Sequence, residues 1–230
     1  MENPASLGHN TLARMIDHTL LRPSAQRGEI TRLCQQALEW NFISVCISPI
    51  YVGLAHDILK GSATKVCTVI GFPHGMHTTS AKAFETARAI VDGATEIDMV
   101  IPVGALLEGD ADTVWNDIRT VTDTAHQSGA ILKVIIETCL LNDSQKELAA
   151  RLVSDAGADF IKTSTGFSTG GATLHDIALL RSCCPPNVGV KASGGIRDTQ
   201  TALAMIQAGA NRIGTSNGIA ILQGLHPDMA

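Results

Sequence analysis

The chain has 230 residues, of which 45% are hydrophobic and 17% charged; this supplies a sizeable core and leaves too little charge for disorder. A net charge of −5 without a Lys/Arg stripe argues against a nucleic-acid surface, and no apolar run approaches the roughly 18 residues of a membrane helix. Residues 1–23 mix Glu2, His9, Arg14 and Asp17 with apolar positions, unlike a signal peptide, and six cysteines without C-x-x-C spacing point to free thiols in a reducing cytoplasm.

In chain order, the pattern predicts a short strand at 14–18, a helix over 28–39, a strand at 43–47 and a helix over 51–59. A strand at 65–70, a helix over 79–91, a strand at 96–100 and a helix over 111–127 come next. Then follow strand 131–136, helix 143–155, strand 160–163, helix 173–181, strand 188–192, helix 199–208, strand 212–214 and a last helix. Strands alternating with helices indicate βαβ units and a parallel sheet. Aromatic residues make up 3%, with Tyr51 the single tyrosine, so the core must be aliphatic, as parallel sheets usually are. Four helices end in a Gly-Ala step before a strand, at Gly93, Gly129, Gly157 and Gly209, which suits a left-handed turn at each helix C-terminus. Five positions after three of these glycines come Asp98, Lys162 and Gly214, on strands four, six and eight. Alternate strands of a barrel contribute to one interior layer, so these offsets suggest a shared level. The expected fold is α/β, a single compact (β/α)8 TIM barrel forming one catalytic domain over 1–230. An open doubly wound sheet is the alternative, weakened by the lack of a G-x-G-x-x-G opening a helix.

Seven lysines occur in all, and Lys133, Lys162 and Lys191 interrupt apolar strand runs. Strands buried on both faces tolerate an ammonium only when it is paired or functional. Each could neutralise an interior acid such as Asp17, Glu96, Asp98 or Glu137. Lys162 and Lys191, however, end their strands just before small polar runs, at the face where barrel active sites form. Two neighbouring ammonium groups disfavour each other, and an amine of depressed pKa attacks carbonyls to form a Schiff base. Asp98, at the same level, is the candidate to shuttle protons with a water.

The loops Ser193-Gly194-Gly195-Ile196-Arg197-Asp198 and Gly214-Thr215-Ser216-Asn217-Gly218 each precede a helix after strands seven and eight. Glycine loops there let backbone N–H groups approach an oxyanion, and this is the usual phosphate position of a barrel. No metal is expected: His74 and His77 lie in one loop without a second ligand cluster. Cys46, with no histidine or acid beside it in sequence, reads as a pocket-lining or core thiol, and adjacent Cys183 and Cys184 as surface-loop residues.

These residues resemble the deoxyribose-phosphate aldolase family. The likeness runs through Ile16-Asp17-His18-Thr19-Leu20-Leu21, Val45-Cys46-Ile47, Gly71-Phe72-Pro73-His74-Gly75 and Glu96-Ile97-Asp98-Met99-Val100. It continues in Leu132-Lys133-Val134-Ile135-Ile136-Glu137-Thr138, Phe160-Ile161-Lys162-Thr163-Ser164-Thr165-Gly166-Phe167, Val190-Lys191-Ala192-Ser193-Gly194-Gly195-Ile196-Arg197 and Arg212-Ile213-Gly214-Thr215-Ser216. The resemblance implies a cofactor-free class I aldolase, cytoplasmic and homodimeric, that reversibly cleaves 2-deoxy-D-ribose 5-phosphate to acetaldehyde and D-glyceraldehyde 3-phosphate in deoxyribose phosphate catabolism. It implies Lys162 as the Schiff-base residue, Lys191 as its electrostatic partner and Asp98 as acid/base. Asp17 and Lys133 would support them, Thr19 and Cys46 would line the pocket, and Thr165, Gly166, Gly194, Gly195, Gly214 and Ser216 would contact the substrate, mostly at its phosphate. The chain departs from some members in carrying Phe167 where they have a lysine, Asn217 where they have a serine, and no tyrosine in its tail, residues 226–230.

Overall fold

A computed structural model describes residues 7–225. Eight parallel strands close into a barrel in sequential order: β1 (Ile16–Leu20), β2 (Ser44–Ile47), β3 (Lys65–Ile70), β4 (Glu96–Val100), β5 (Ile131–Ile135), β6 (Phe160–Lys162), β7 (Gly189–Ser193) and β8 (Arg212–Thr215). Around them lie α1 (His9–Ala13), α2 (Arg27–Glu39), α3 (Val52–Leu59), α4 (Thr79–Val91), α5 (Val103–Glu108), α6 (Ala111–His126), α7 (Asp143–Asp155), α8 (Leu174–Cys183), α9 (Thr199–Gln207) and α10 (Gly218–Gln223). The open sheet is thereby ruled out. Among the described residues, no helix is long and apolar enough to cross a membrane.

The first strand begins two residues later than its pattern suggested. Arg14 caps α1, and its guanidinium donates to the Phe42 carbonyl at 3.2 Å, so it belongs to a turn. The repeated Gly-Ala junction is one motif used four times: Gly93, Gly129, Gly157 and Gly209 have φ of 111°, 72°, 78° and 118°. The N–H of the alanine that follows donates back to the carbonyl five residues earlier, as Ala94 does to Ala89 at 2.9 Å. Cys183 and Cys184 correct the surface-loop expectation. They end and cap α8, and Cys184 is buried because the capping turn folds its side chain onto the core.

Alternation along the strands separates two interiors. Outward positions such as Val45, Ile47, Ile97, Met99, Leu132, Val134, Ile161, Val190 and Ile213 join the helices in one aliphatic core. Each such side chain contributes roughly 1.5–3 kcal/mol on burial. Inward positions carry the charges at mid-barrel, with a small apolar cluster of Cys46, Cys67 and Val69 beside them, Val100 and Ile135 nearer the mouth and Phe160 at the N-terminal end. At the N-terminal end, Phe160 lies so close to Gly189 that a Cβ there would fall 2.2 Å from the ring, and the Arg212 guanidinium sits 5.4 Å from the ring centroid. That end of the barrel is stoppered, and the interior opens at the C-terminal ends of the strands.

Candidate active site

Strand register places the inward charges side by side: Asp98 pairs with Lys133, Lys162 with Lys191, and Lys191 with Arg212. Asp98 is saturated. Its Oδ1 accepts from Lys133 Nζ at 2.9 Å and Cys67 Sγ at 3.1 Å, and its Oδ2 accepts from Lys162 Nζ at 2.8 Å and Lys191 Nζ at 2.6 Å. Asp17 receives Ser44 Oγ at 2.7 Å and Arg212 Nη1 at 2.6 Å on one oxygen and Lys191 on the other. Glu96 closes the cluster on Lys133 at 2.7 Å and Arg212 at 3.0 Å. Gly214, on the neighbouring strand, leaves the room that Lys191 needs, since a Cβ there would lie 3.1 Å from Lys191 Cε.

Burial opposes the charges of Asp17, Asp98, Lys133, Lys191 and Arg212, and the pairing outweighs it. Lys133, Lys162 and Lys191 hold the Asp98 carboxyl well below the ordinary carboxylate range. Lys191, Lys133 and Arg212 do the same for Asp17. Conversely, Asp17 and Asp98 push Lys191 above the usual lysine value against the desolvation of its site, and Asp98 leads the groups that push Lys133 up. The mutual depression expected between two adjacent lysines is therefore overruled at Lys191, because two carboxylates stand on it. Burial also pushes the Cys67 thiol up, leaving it a neutral S–H donor to Asp98.

Lys162 differs from its neighbours in two ways. Its ammonium has a single carboxylate partner, Asp98, whereas Lys133 meets three and Lys191 two. It also lines a cavity of about 400 Å³ at the barrel mouth, together with Thr19, Thr165, Gly166, Ser193, Gly194, Gly195, Gly214 and Ser216. The structure thus gathers the expected contact residues around one lysine. Asp17, Cys46, Asp98, Lys133 and Lys191 do not reach that cavity; all are fully buried, and the charged ones form its foundation. Cys46 corrects the expectation of a pocket-lining thiol: on β2 its side chain points down onto Cys67 and Val69, with Leu21 and Phe72 packed against them.

The loop after β6 and the glycine loop after β7 are held together by contact too close for side chains. A Cβ on Gly171 would fall 2.3 Å from the Gly194 carbonyl oxygen, and Ala172 N donates to the Ser193 and Gly194 carbonyls at 3.0 and 3.1 Å. A larger cavity of about 650 Å³ adjoins, sharing Leu21, Thr165 and Phe167 but not Lys162. The Phe72 and Phe167 rings meet edge to face there, with centroids 5.3 Å apart.

Sequence reasoning missed two participants, Arg212 and Cys67, and gave a third, Glu137, only as a possible interior acid. Arg212 carried the same signal as the lysines, a cation inside an apolar strand. Cys67 carried none, since a thiol in a strand reads as core. Glu137 is a non-glycine residue at φ 54°, buried, and its carboxylate receives the N–H and hydroxyl of Thr165, fixing the loop after β6. Cys46, Cys67 and Asp98 could geometrically ligate a metal, as could Asp17, Cys67 and Glu96. The surrounding lysines and Arg212 already occupy these carboxylates with positive charge, which makes the clusters a poor fit for a cation. His74 and His77 are exposed in the loop after β3 and belong to neither group.

A parallel barrel with one amine at its mouth, ion-paired from beneath and flanked by anion-suited glycine loops, is the layout of a barrel enzyme acting on carbonyl compounds. The comparisons narrow this. Residues 11–224 match the DeoC/LacD family aldolase, and the chain belongs to that family. It is 57% identical over 215 residues to a deoxyribose-phosphate aldolase of a Geobacillus species, covering 94% of this chain and 96% of that one. A deoxyribose-phosphate aldolase of Clostridium perfringens is 56% identical over 213 residues, covering 93% and 95%. The tetrameric deoxyribose phosphate aldolase of Aeropyrum pernix superposes with a TM-score of 0.88 at 34% identity, covering 94% of this chain and 91% of that one.

Proposed function

We propose that this aldolase reversibly cleaves 2-deoxy-D-ribose 5-phosphate to D-glyceraldehyde 3-phosphate and acetaldehyde through a Schiff base on Lys162. The observation that carries the reading is Lys162 itself: among the buried cluster it alone opens on the cavity that holds both glycine loops. The Lys162 amine adds to the C1 aldehyde of the open-chain sugar and expels one water, giving an iminium. That cation takes the place of the ammonium, so Asp98 stabilises it through the same oxygen. The C2–C3 bond then breaks, its electron pair passing to C2 and the iminium nitrogen. The C3 hydroxyl loses its proton and D-glyceraldehyde 3-phosphate departs. Protonation of the enamine at C2 and hydrolysis release acetaldehyde and restore the amine.

Both oxygens of Asp98 are filled in the resting site, so its part is that of a fixed anion joining two nitrogens. Lys191, held protonated on the same oxygen as Lys162, passes protons with water across that bridge. Asp17, Glu96, Lys133 and Arg212 keep the arrangement rigid. Thr165, Gly166, Gly194, Gly195, Gly214 and Ser216 contact the substrate, with the glycine loops on its phosphate and Thr19 along the sugar. The same reading makes residues 1–230 one catalytic domain and the protein a cytoplasmic homodimer in deoxyribose phosphate catabolism; light scattering tests the dimer.

Intact-mass measurement after incubation with 2-deoxyribose 5-phosphate and sodium borohydride, with EDTA present, tests the chemistry. The expected result is a reduced adduct mapping to Lys162. A folded protein that gains no adduct would refute the proposal.

A further inference from the structure

The glycine loops offer a phosphate neutral N–H donors and one cation, Arg197 of the loop after β7, and Phe167, beside them on the same cavity, is apolar. Among the described residues, three charged side chains line that cavity: Arg22, Lys162 and Arg197. Lys162 is committed to Asp98 and to the carbonyl carbon. Arg22 comes from the loop between β1 and α2, on the strand next to β8 and its glycine loop, and this loop is built to present it. Ala25 N–H donates to the Arg22 carbonyl at 3.0 Å, and the Tyr51 hydroxyl holds the Ala25 carbonyl at 2.7 Å. The guanidinium donates to Ser24 Oγ at 3.1 Å and pairs with Glu29. Glu29 in turn belongs to the capping box of α2, accepting from Gln26 N–H at 3.0 Å.

We propose that Arg22 is a specificity-determining residue for the phosphate, its guanidinium passing from Glu29 to the phosphate when the sugar phosphate enters. This deepens the sugar-phosphate reading and rests on it. An arginine fork matches two phosphate oxygens. Glu29 restrains it only lightly, because the pair is half-exposed, with side-chain exposures of 46% and 35%, and such pairs are weak in water. Glu29 therefore parks Arg22 at the rim, ordered but available.

The test compares the wild type with Arg22→Gln, Arg22→Lys and Glu29→Gln, using 2-deoxyribose 5-phosphate, 2-deoxyribose, and inorganic phosphate as a competitive inhibitor of 2-deoxyribose cleavage. Arg22→Gln is expected to lower the kcat/KM preference for the phosphorylated sugar about tenfold, through KM, and to weaken phosphate inhibition by a similar factor, the scale of one charge-assisted contact. Arg22→Lys should recover part of both. Glu29→Gln keeps a residue suited to the capping box but dissolves the ion pair, so phosphate inhibition should tighten. An unchanged preference and unchanged phosphate inhibition in Arg22→Gln would overturn the inference, as would equal losses on both sugars, which mark a structural role. A wild type that cleaves neither sugar would defeat the sugar-phosphate reading itself, a result distinct from either.

Discussion

The buried cluster holds three carboxylates, Asp17, Glu96 and Asp98, against four cations, Lys133, Lys162, Lys191 and Arg212, a formal excess of one positive charge. Two near-isosteric substitutions move that count in opposite directions. Lys191→Met brings it to zero: Asp17 keeps Arg212 and Ser44, and Asp98 keeps Lys133 and Lys162. The loss is then that of charged hydrogen bonds, about 1–3 kcal/mol. Asp98→Asn raises the excess to two and strips Lys162 of its only carboxylate. Removing one partner of a buried network in this way costs about 3–5 kcal/mol. At roughly 2–4 °C per kcal/mol for a chain of this size, Tm should fall by about 5 °C for Lys191→Met and about 10 °C or more for Asp98→Asn. Calorimetry at pH 7 checks the order, and an assay of glyceraldehyde 3-phosphate release should find Lys191→Met slowed about 100-fold or more, the scale of a lost proton-transfer group. A Tm loss for Lys191→Met that equals or exceeds that of Asp98→Asn would refute the charge-count reasoning. Unchanged turnover in Lys191→Met would remove Lys191 from the proton path.

Lys162→Ala should abolish turnover and borohydride trapping while leaving the circular dichroism spectrum intact; loss of the fold would instead assign this lysine to structure. The pH dependence of stability follows from signs. Asp17 and Asp98 titrate far lower in the fold than the unfolded value near ~3.9, so their contribution is present above that pH and is lost as pH falls toward their folded values. Lys133 and Lys191 titrate above the unfolded value near ~10.4, so theirs is present below that pH and is lost as pH rises through the folded values. Asp17, Asp98, Lys133 and Lys191 should add no slope to a Tm profile between about pH 5 and 9, and an acid limb that Asp98→Asn leaves unchanged from wild type would contradict the part given to Asp98. In Gly171→Ala the new methyl meets the Gly194 carbonyl with no flexible side chain to give way. The paired loops should part, and KM for the sugar phosphate should rise several-fold in a folded protein, as steady-state kinetics would register.

The barrel was legible because each cue had one physical meaning. Glycine after a helix marks a left-handed cap, and four such caps at repeated spacing announced one unit. Lysine inside an apolar strand announced an interior ion cluster, and the shared offset of Asp98, Lys162 and Gly214 located its level. Less legible was anything that depended on which partner a side chain meets. Nothing local to Lys191 tells that Asp17, on a strand 174 residues away, shares it with Asp98. Cys46 stays open between pocket and core for the same reason: alternation says that it points inward but not how deep the cavity reaches. Glu137 reads as an interior acid, but neither its left-handed backbone nor its bond from Thr165 follows from its own preference.

The stopper of Phe160 against Gly189 bears on the order of events in solution. A blind-ended vessel has one doorway, so whatever arrives last must leave first. In the proposed reaction the phosphorylated fragment would stand in that doorway while the two-carbon fragment remains tethered to Lys162 behind it. Product release is a queue, and the phosphorylated aldehyde is at its head.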